Sequence, residues 1–444
     1  MIVSVARARS GWYACALALA LPLTACTLGS GDGGELGSSG SAEGSETGER
    51  FDFAGGDAKN EDCDGAGNGG GDGSDDYDFI NLWVANSSDG TVSKIDTRKQ
   101  VEVARYRTGP GDDDPSRTSV NLLGDMVVVN RAGSITKILG GATECPDLNG
   151  TPGIQTSTGS DDVLGWGDDD CVVWRQELTD STGTDNQWGP RPVAWEGAEL
   201  DPTSCNTNPR VWVGWYDGPQ DVGEFRRLEG STGKTLDAVS IPWSGASWGP
   251  YGGAVNKEGD FWAIGWQQGP LVRIHEDDAS FDRYEIPDHP SGEVWTYGMA
   301  LDPSGRPWIS SAGAVLYFDP DSEEFGWVDT GNVMMRGMGA DDAGNLWIAV
   351  QEDAFEDCAL AVIDYENDQL LAANVALPGC SDPVGVSVDA DGTVWVVDHG
   401  AELAFAVDPD TYQATPAVGG LILPYTYSDM TGAGLNLVVR PPEG

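Results

Sequence analysis

Apolar and polar positions alternate in short runs from residue 79 to about residue 440, and four of the runs repeat one phrase. Residues 254–265 read AVNKEGDFWAIG, 300–311 ALDPSGRPWISS, 339–350 GADDAGNLWIAV and 387–398 SVDADGTVWVVD. Period-two alternation on either side of an acidic, Gly-bearing turn predicts a strand, a turn and a Trp-led strand. The markers Trp262, Trp308, Trp347 and Trp395 stand 46, 39 and 48 residues apart. That period suits one four-stranded sheet per repeat, as in a propeller blade.

Seven such units can be placed. The first runs from Phe79 to Gly109; the others open at Arg117, Arg191, Tyr251, Tyr297, Arg336 and Val384. A second set of phrases, GTVSKIDT, GSITKILG, GPLVRIHED, GAVLYFDPD, LAVIDYEND and LAFAVDPD, predicts strands buried between neighbouring sheets and ending in Asp-rich turns. The first unit lacks its opening strand. Pro424 to Val439 aligns with Pro383 to Val397, so the C-terminal segment is expected to supply the innermost strand of the first blade and close the ring. The second unit is lengthened by an insertion at about residues 142–170. The expected fold is all-β, a seven-bladed β-propeller over residues 77–444.

The preceding residues are of another kind. Residues 26–76 are rich in Gly, Ser, Asp and Glu and poor in aliphatic residues, which predicts a disordered tether. Before it, Arg7 and Arg9 lead into the apolar run Trp12 to Leu23, too short to span a bilayer, which ends in Leu23, Thr24, Ala25 and Cys26. Residues 1–25 resemble a bacterial lipoprotein signal. The resemblance implies cleavage before Cys26 and lipid on its sulfur, and Thr27 implies outer-membrane sorting, on the periplasmic or the cell-surface side; a simple secretory signal is the alternative. Apart from that anchored membrane, the expected partners are a glycan, a small molecule or a protein, and the chain is expected to be a monomer.

Charge narrows the choice of partners. With 72 Asp plus Glu against 24 Lys plus Arg, the net charge is −48, which excludes nucleic-acid phosphates as a natural ligand. Beyond Cys26 the mature chain has six cysteines, and an oxidising compartment predicts disulfides. Nearness in sequence favours Cys145 with Cys171 and Cys358 with Cys380, leaving Cys63 for Cys205.

The repeated GxLW and DGTVWVV phrases resemble the streptogramin lyase (virginiamycin B lyase) propellers and, more loosely, the NHL-repeat proteins. The resemblance implies seven blades and a magnesium-assisted ring-opening elimination at the channel mouth, served by histidines and a glutamate that include a Glu-x-His pair. None of His275, His289 and His399 has a glutamate two positions before it, so no catalytic residue is carried over.

In a propeller, the position just before each innermost strand faces the channel mouth. Here those positions are Arg117, Arg191, Tyr251, Tyr297, Arg336, Val384 and Tyr425. In a chain so poor in arginine, three at equivalent places concentrate planar cationic donors on the axis, suited to a carboxylate, a phosphate or a sugar hydroxyl. Trp188, Trp248 and Trp295 stand close before three of them as candidate stacking walls. Alternatively the arginines pair with acids such as Asp112 to Asp114 while the rings pack between blades. After the second strands come Asn86, Asn130, Trp215, Gln351, Asp398 and His399 on the same face. Asp398 with His399, and Asp288 with His289, are candidate acid–base or metal pairs if their loops converge, a solvated histidine being the alternative. His275 is read as a strand residue with a structural role. In the insertion, Asp147, Asn149 and Thr151 resemble the opening of a calcium loop, the alternative being an Asx turn stapled by a disulfide. Calcium and magnesium are the candidate cofactors. The expected function is binding at the mouth without catalysis, a divalent-metal-dependent lyase or hydrolase being the alternative.

Overall fold

The computed structural model describes residues 79–197, 208–243, 248–290, 292, 294–351 and 358–439. Residues 1–76, with the proposed leader, Cys26, the tether and Cys63, lie outside that set, as does Cys205.

Seven antiparallel sheets stand in chain order, six of four strands and the first of three. The innermost strands of blades two to seven are Pro115–Val120, Val193–Trp195, Pro250–Val255, Met299–Leu301, Met334–Ala340 and Pro383–Val388, each against the next around a common axis. The chain is a seven-bladed β-propeller.

The repeated phrase folds into one local device. In DPSGRPW, Asp302 Oδ1 accepts the backbone N–H groups of Ser304 and Arg306, while Oδ2 accepts the Trp308 indole N–H at 2.9 Å. Asp341 does the same for Ala343, Asn345 and Trp347, and Asp389 for Asp391, Thr393 and Trp395. One carboxylate thus satisfies the turn donors and pins a buried ring, a charge-assisted arrangement that explains the six-residue Asp-to-Trp spacing. Blade four has Asn256 in that place, and the Trp262 indole nitrogen is left buried without a partner. All four marker tryptophans are fully buried. Each ring takes about 200 Å² out of water, on the order of 5 kcal/mol of gross transfer energy. They pack between blades, as where Trp308 of blade five meets Met335 and Leu346 of blade six.

Blade one consists of Asn81–Asn86, Thr91–Asp96 and Val101–Arg107, and residues 424–430 occupy its innermost place. The Tyr425 N–H donates to Ala85 O at 3.0 Å and the Trp83 N–H to Met430 O at 2.9 Å, as ring closure by the C-terminal segment requires. On one flank Thr426 and Ser428 reach Thr118 of blade two; on the other the Met430 N–H reaches Ser387 of blade seven. Gly385 and Gly337 admit this segment, since a Cβ on Gly385 would lie 1.8 Å from Thr426 O and one on Gly337 2.6 Å from the Tyr427 Cβ.

The second half of that segment departs from the expectation of another strand. Ala433–Val439 is an α-helix. The edge it would have joined is taken: Asn81–Asn86 already pairs with Thr91–Asp96 on one side and meets residues 424–430 on the other. The Asp429 carboxylate accepts the N–H groups of Gly432 and Leu435, capping the helix, and Gly432 makes the bend at φ +86°. Leu435 packs on Val193 and Trp195 of blade three, Val438 on Met299 and Leu301 of blade five, and Leu437 on Met338 and Ala340 of blade six. The helix therefore stoppers one end of the channel. Inside it is a cavity of about 70 Å³, lined by Ser119, Gly253, Met299, Val386 and Ser428 among others.

Cys145 bonds to Cys171 and Cys358 to Cys380, as sequence proximity suggests. The first bridge closes the insertion between the third and fourth strands of blade two. Within it the buried Asp170 accepts the N–H groups of Leu148, Asn149 and Gln155, which hold its carboxyl below the usual range although burial pushes the other way. Asn149 Oδ1 accepts the Thr151 N–H, so the residues read as the start of a calcium loop form an Asx turn beside a disulfide.

Candidate functional site

Opposite the helix, the residues that open each inner strand converge. The Arg117 guanidinium lies over the Tyr427 ring at 3.7 Å and the Tyr251 ring at 4.5 Å. Arg191 lies over Trp248 and Tyr251, and Arg336 over Tyr297. The Tyr251 and Tyr425 hydroxyls are 3.3 Å apart, and the Tyr297 hydroxyl is bonded to that of Tyr425. Val384, the one aliphatic member of the set, packs beside Tyr425. Arg117, Arg191, Arg336, Tyr251, Tyr297 and Tyr425 form one layer across the axis.

The layer is a packed floor rather than the lining of an open mouth. Arg117 and Arg191 are each 1% exposed and Arg336 9%. Their partners differ. Arg336 pairs with Asp382 at 2.9 Å and bonds to Gln351, whereas Arg191 spends its donors on the backbone carbonyls of Asn186, Gln187 and Gly189. Arg117 has a single long bond, 3.4 Å to Ser116 Oγ, and its Nε and Nη2 have no partner. Asp113 and Asp114, the acids expected to neutralise the axis, are bound to Arg175 and Arg131.

Electrostatics follow from this crowding. Burial pushes the Arg117 guanidinium down to about 9, Tyr251 opposes that and Arg191 adds to it, so Arg117 is still cationic at neutral pH. Burial also pushes the Tyr251 phenol up, but Arg117 and Arg191 more than offset this and leave it below its ordinary value. Tyr425 is pushed up to about 12 by burial and by Tyr251, which outweigh the pull of Arg117, and Tyr297 is raised well above its ordinary value by burial and by Tyr251.

Above the floor runs a row of indoles. Trp248 and Trp266 have ring centroids 5.8 Å apart, Trp266 and Trp295 6.1 Å, and Trp295 is 49% exposed. Trp188 is not part of the row; it packs half-buried against the core shared by blades three and four. His399 borders the mouth, its ring 5.6 Å from that of Tyr425 and its Nδ1 3.1 Å from Pro424 O.

The paired-histidine idea is corrected. The Asp398 carboxylate, fully buried, accepts the N–H groups of Ser381, Asp382 and Ala401 and is a loop-holding group. His289 stacks edge-on to Trp327 and meets Asp329, both on the outermost strand of blade five, while His399 sits at the axis, so the two loops do not converge. His275 lies one residue past its strand, Leu271–Ile274, and bonds to Asp282. The one group of three metal-ligating side chains among the described residues, Cys358, Cys380 and Asp398, has its sulfurs tied in a disulfide.

Two members of the site escaped the sequence reading. Tyr427 follows Tyr425 by two residues, the interval that returns an extended chain to the same face. Trp266 stands directly after the second strand of blade four, a position already read in five other blades.

Fold and site define a propeller whose channel is stoppered at one end and floored by arginine and tyrosine at the other. No protein-family model matches the sequence, and no curated protein matches it. Solved structures are similar in fold. A protein from Lactobacillus plantarum shares 11% identity at a TM-score of 0.53, over 78% of this chain and 98% of that one. Virginiamycin B lyase from Staphylococcus aureus shares 14% at 0.46, over 72% and 89%, and AztD from Citrobacter koseri 14% at 0.46, over 78% and 96%.

Proposed function

We propose that this protein is a lipid-anchored, extracytoplasmic binding propeller, held to the outer membrane through Cys26, that takes a small acidic or polar ligand, a uronic-acid sugar in the first instance, at the mouth above the arginine–tyrosine floor. The observation that carries this reading is the convergence of Arg117, Arg191 and Arg336 on one end of the axis in a chain of net charge −48. Positive charge gathered there favours an anionic group at that end, and the exposed face of Trp295 offers a flat apolar wall to the ring of the same ligand. No catalytic step is assigned. Asp398 is committed to backbone donors, and His399 faces a carbonyl and a phenol.

Calorimetric titration with galacturonate and glucuronate, against their neutral parent sugars, tests the reading. The acids are expected to bind and the neutral sugars to bind at least tenfold more weakly, with acid binding itself weakened about tenfold in Trp295→Ala. Equal binding of acid and neutral sugar, or none by either, overturns it. For the anchor, metabolic labelling with a palmitate analogue is expected to mark the wild type and not Cys26→Ala.

A further inference from the structure

The Arg117 guanidinium presents an unsolved charge. It is 1% exposed, it has no carboxylate within its layer, and both Nε and Nη2 are buried without an acceptor. The Tyr427 hydroxyl, 2% exposed, is unpartnered as well, and its ring lies against the same guanidinium. A buried cation with unmet donors costs several kcal/mol unless an anion accompanies it. The neighbouring phenols do not serve, because Arg117 lies over the faces of Tyr251 and Tyr427 instead of pointing donors at an oxygen, and the Tyr251 hydroxyl is turned to Tyr425. Arg191 and Arg336 differ on this point: carbonyls hold the first, and Asp382 with Gln351 the second. Arg336 leaves its Nε unpartnered but has a carboxylate beside it; among the three, Arg117 alone has two unpartnered nitrogens and no carboxylate or carbonyl holding it.

We propose that the propeller axis holds a structural anion site in which one small inorganic monoanion, chloride in ordinary saline, accepts from Arg117 Nε and Nη2 and from the Tyr427 hydroxyl. Three donors and no competing acceptor suit a compact ion of single charge. The cavity under the helix is lined by Ser119, two residues along the strand from Arg117, and by Ser428, which follows Tyr427, so the axis is open on the inner side of the layer. The site is distinct from the mouth, where any larger ligand would meet Trp295 first. A sealed anion also gives the layer a reason to be built from tyrosines, whose hydroxyls and rings both accommodate guanidinium groups, when carboxylates would have neutralised them directly.

The test uses the folded wild-type protein. Crystals soaked in sodium bromide are expected to show an anomalous peak beside Arg117. In solution, Tm is expected to rise with the logarithm of chloride or bromide concentration when gluconate replaces halide at constant ionic strength, by mass action on the native state. Tyr427→Phe keeps the ring and is expected to shift that dependence to higher halide; Arg117→Met is expected to abolish it. Bromide bound only at the surface, with Tm indifferent to halide, overturns the proposal. So does a phenolate absorbance band at neutral pH that disappears in Tyr251→Phe, since the charge would then be balanced from within. A phenolate beside Arg117 would also weaken the charge invoked at the mouth, but the uronate titration reads the mouth independently of halide, so the two readings fail separately.

Discussion

The two ends of the channel are built on opposite rules. At the helix end the same turn is repeated, Asp302 with Trp308, Asp341 with Trp347, Asp389 with Trp395, and the opening is filled by Leu435, Leu437 and Val438. At the other end the surroundings vary from blade to blade: a guanidinium held by carbonyls, one held by a carboxylate, one with only a long bond to Ser116 Oγ, and three linked phenols. Repetition marks the end whose task is to hold the ring together. Variation marks the end where we propose that a ligand is selected.

Substitutions separate the two ends. Leu437→Asp places a charge among buried apolar groups at the stopper and is expected to cost about 3 kcal/mol or more, read as a lowered urea midpoint. Arg336→Met strands the buried Asp382 at the floor; a loss of about 2–3 kcal/mol in the same experiment is expected, and the isosteric pair Arg336→Met with Asp382→Leu should recover most of it. Asp341→Ala frees two turn N–H groups and the Trp347 indole, and about 2 kcal/mol is expected, with the mouth's ligand affinity untouched. Trp295→Ala should leave stability within about 0.5 kcal/mol while weakening uronate binding tenfold; a stability loss as large as that of Asp341→Ala would erase the distinction between the ends.

Acidification gives the smallest and most diffuse effect. Asp319 and Asp408 are held below the usual carboxylate range by the backbone N–H groups of Ser322 and Thr411, and Asp364 by the Asn367 side-chain amide and backbone N–H. A carboxyl depressed in the folded state contributes stability above its unfolded pKa and loses it as pH falls through the depressed value. Burial raises Asp429 at the helix cap, so its contribution has the other sign, present at low pH and lost as pH rises. Thermal melts from neutral pH downward should show Asp408→Asn less acid-sensitive than the wild type.

What the sequence revealed follows the same division. The repeated end is legible because each Asp and Trp is fixed by a local, six-residue geometry that recurs, so alternation and spacing suffice to count blades and pair the nearer cysteines. The convergence of Arg117, Arg191, Tyr251, Tyr297, Arg336 and Tyr425 was also readable, since equivalent strand positions become neighbours once a ring closes. Their depth was not, because it depends on Tyr427 and the C-terminal segment entering the channel, a contact between residues hundreds apart. The helix at Ala433–Val439 was hidden for a related reason: its residues alternate well enough for a strand, and only the lack of a free sheet edge rules one out. Asp398 and His289 misled because acid–histidine adjacency in sequence says nothing of where the loops lead.

Closure by residues 424–430 also dictates an order of events in synthesis. The groups that shut blade one against blades two and seven are made after the last strand of blade seven, some 340 residues behind their partners at Trp83 and Ala85. Until they arrive, the nascent array is an open arc with two bare edges, and contacts so remote in sequence form slowly. The late clasp therefore couples completion of the ring to the synthesis of residues 424–430, and blade one, begun first, is the last to be finished.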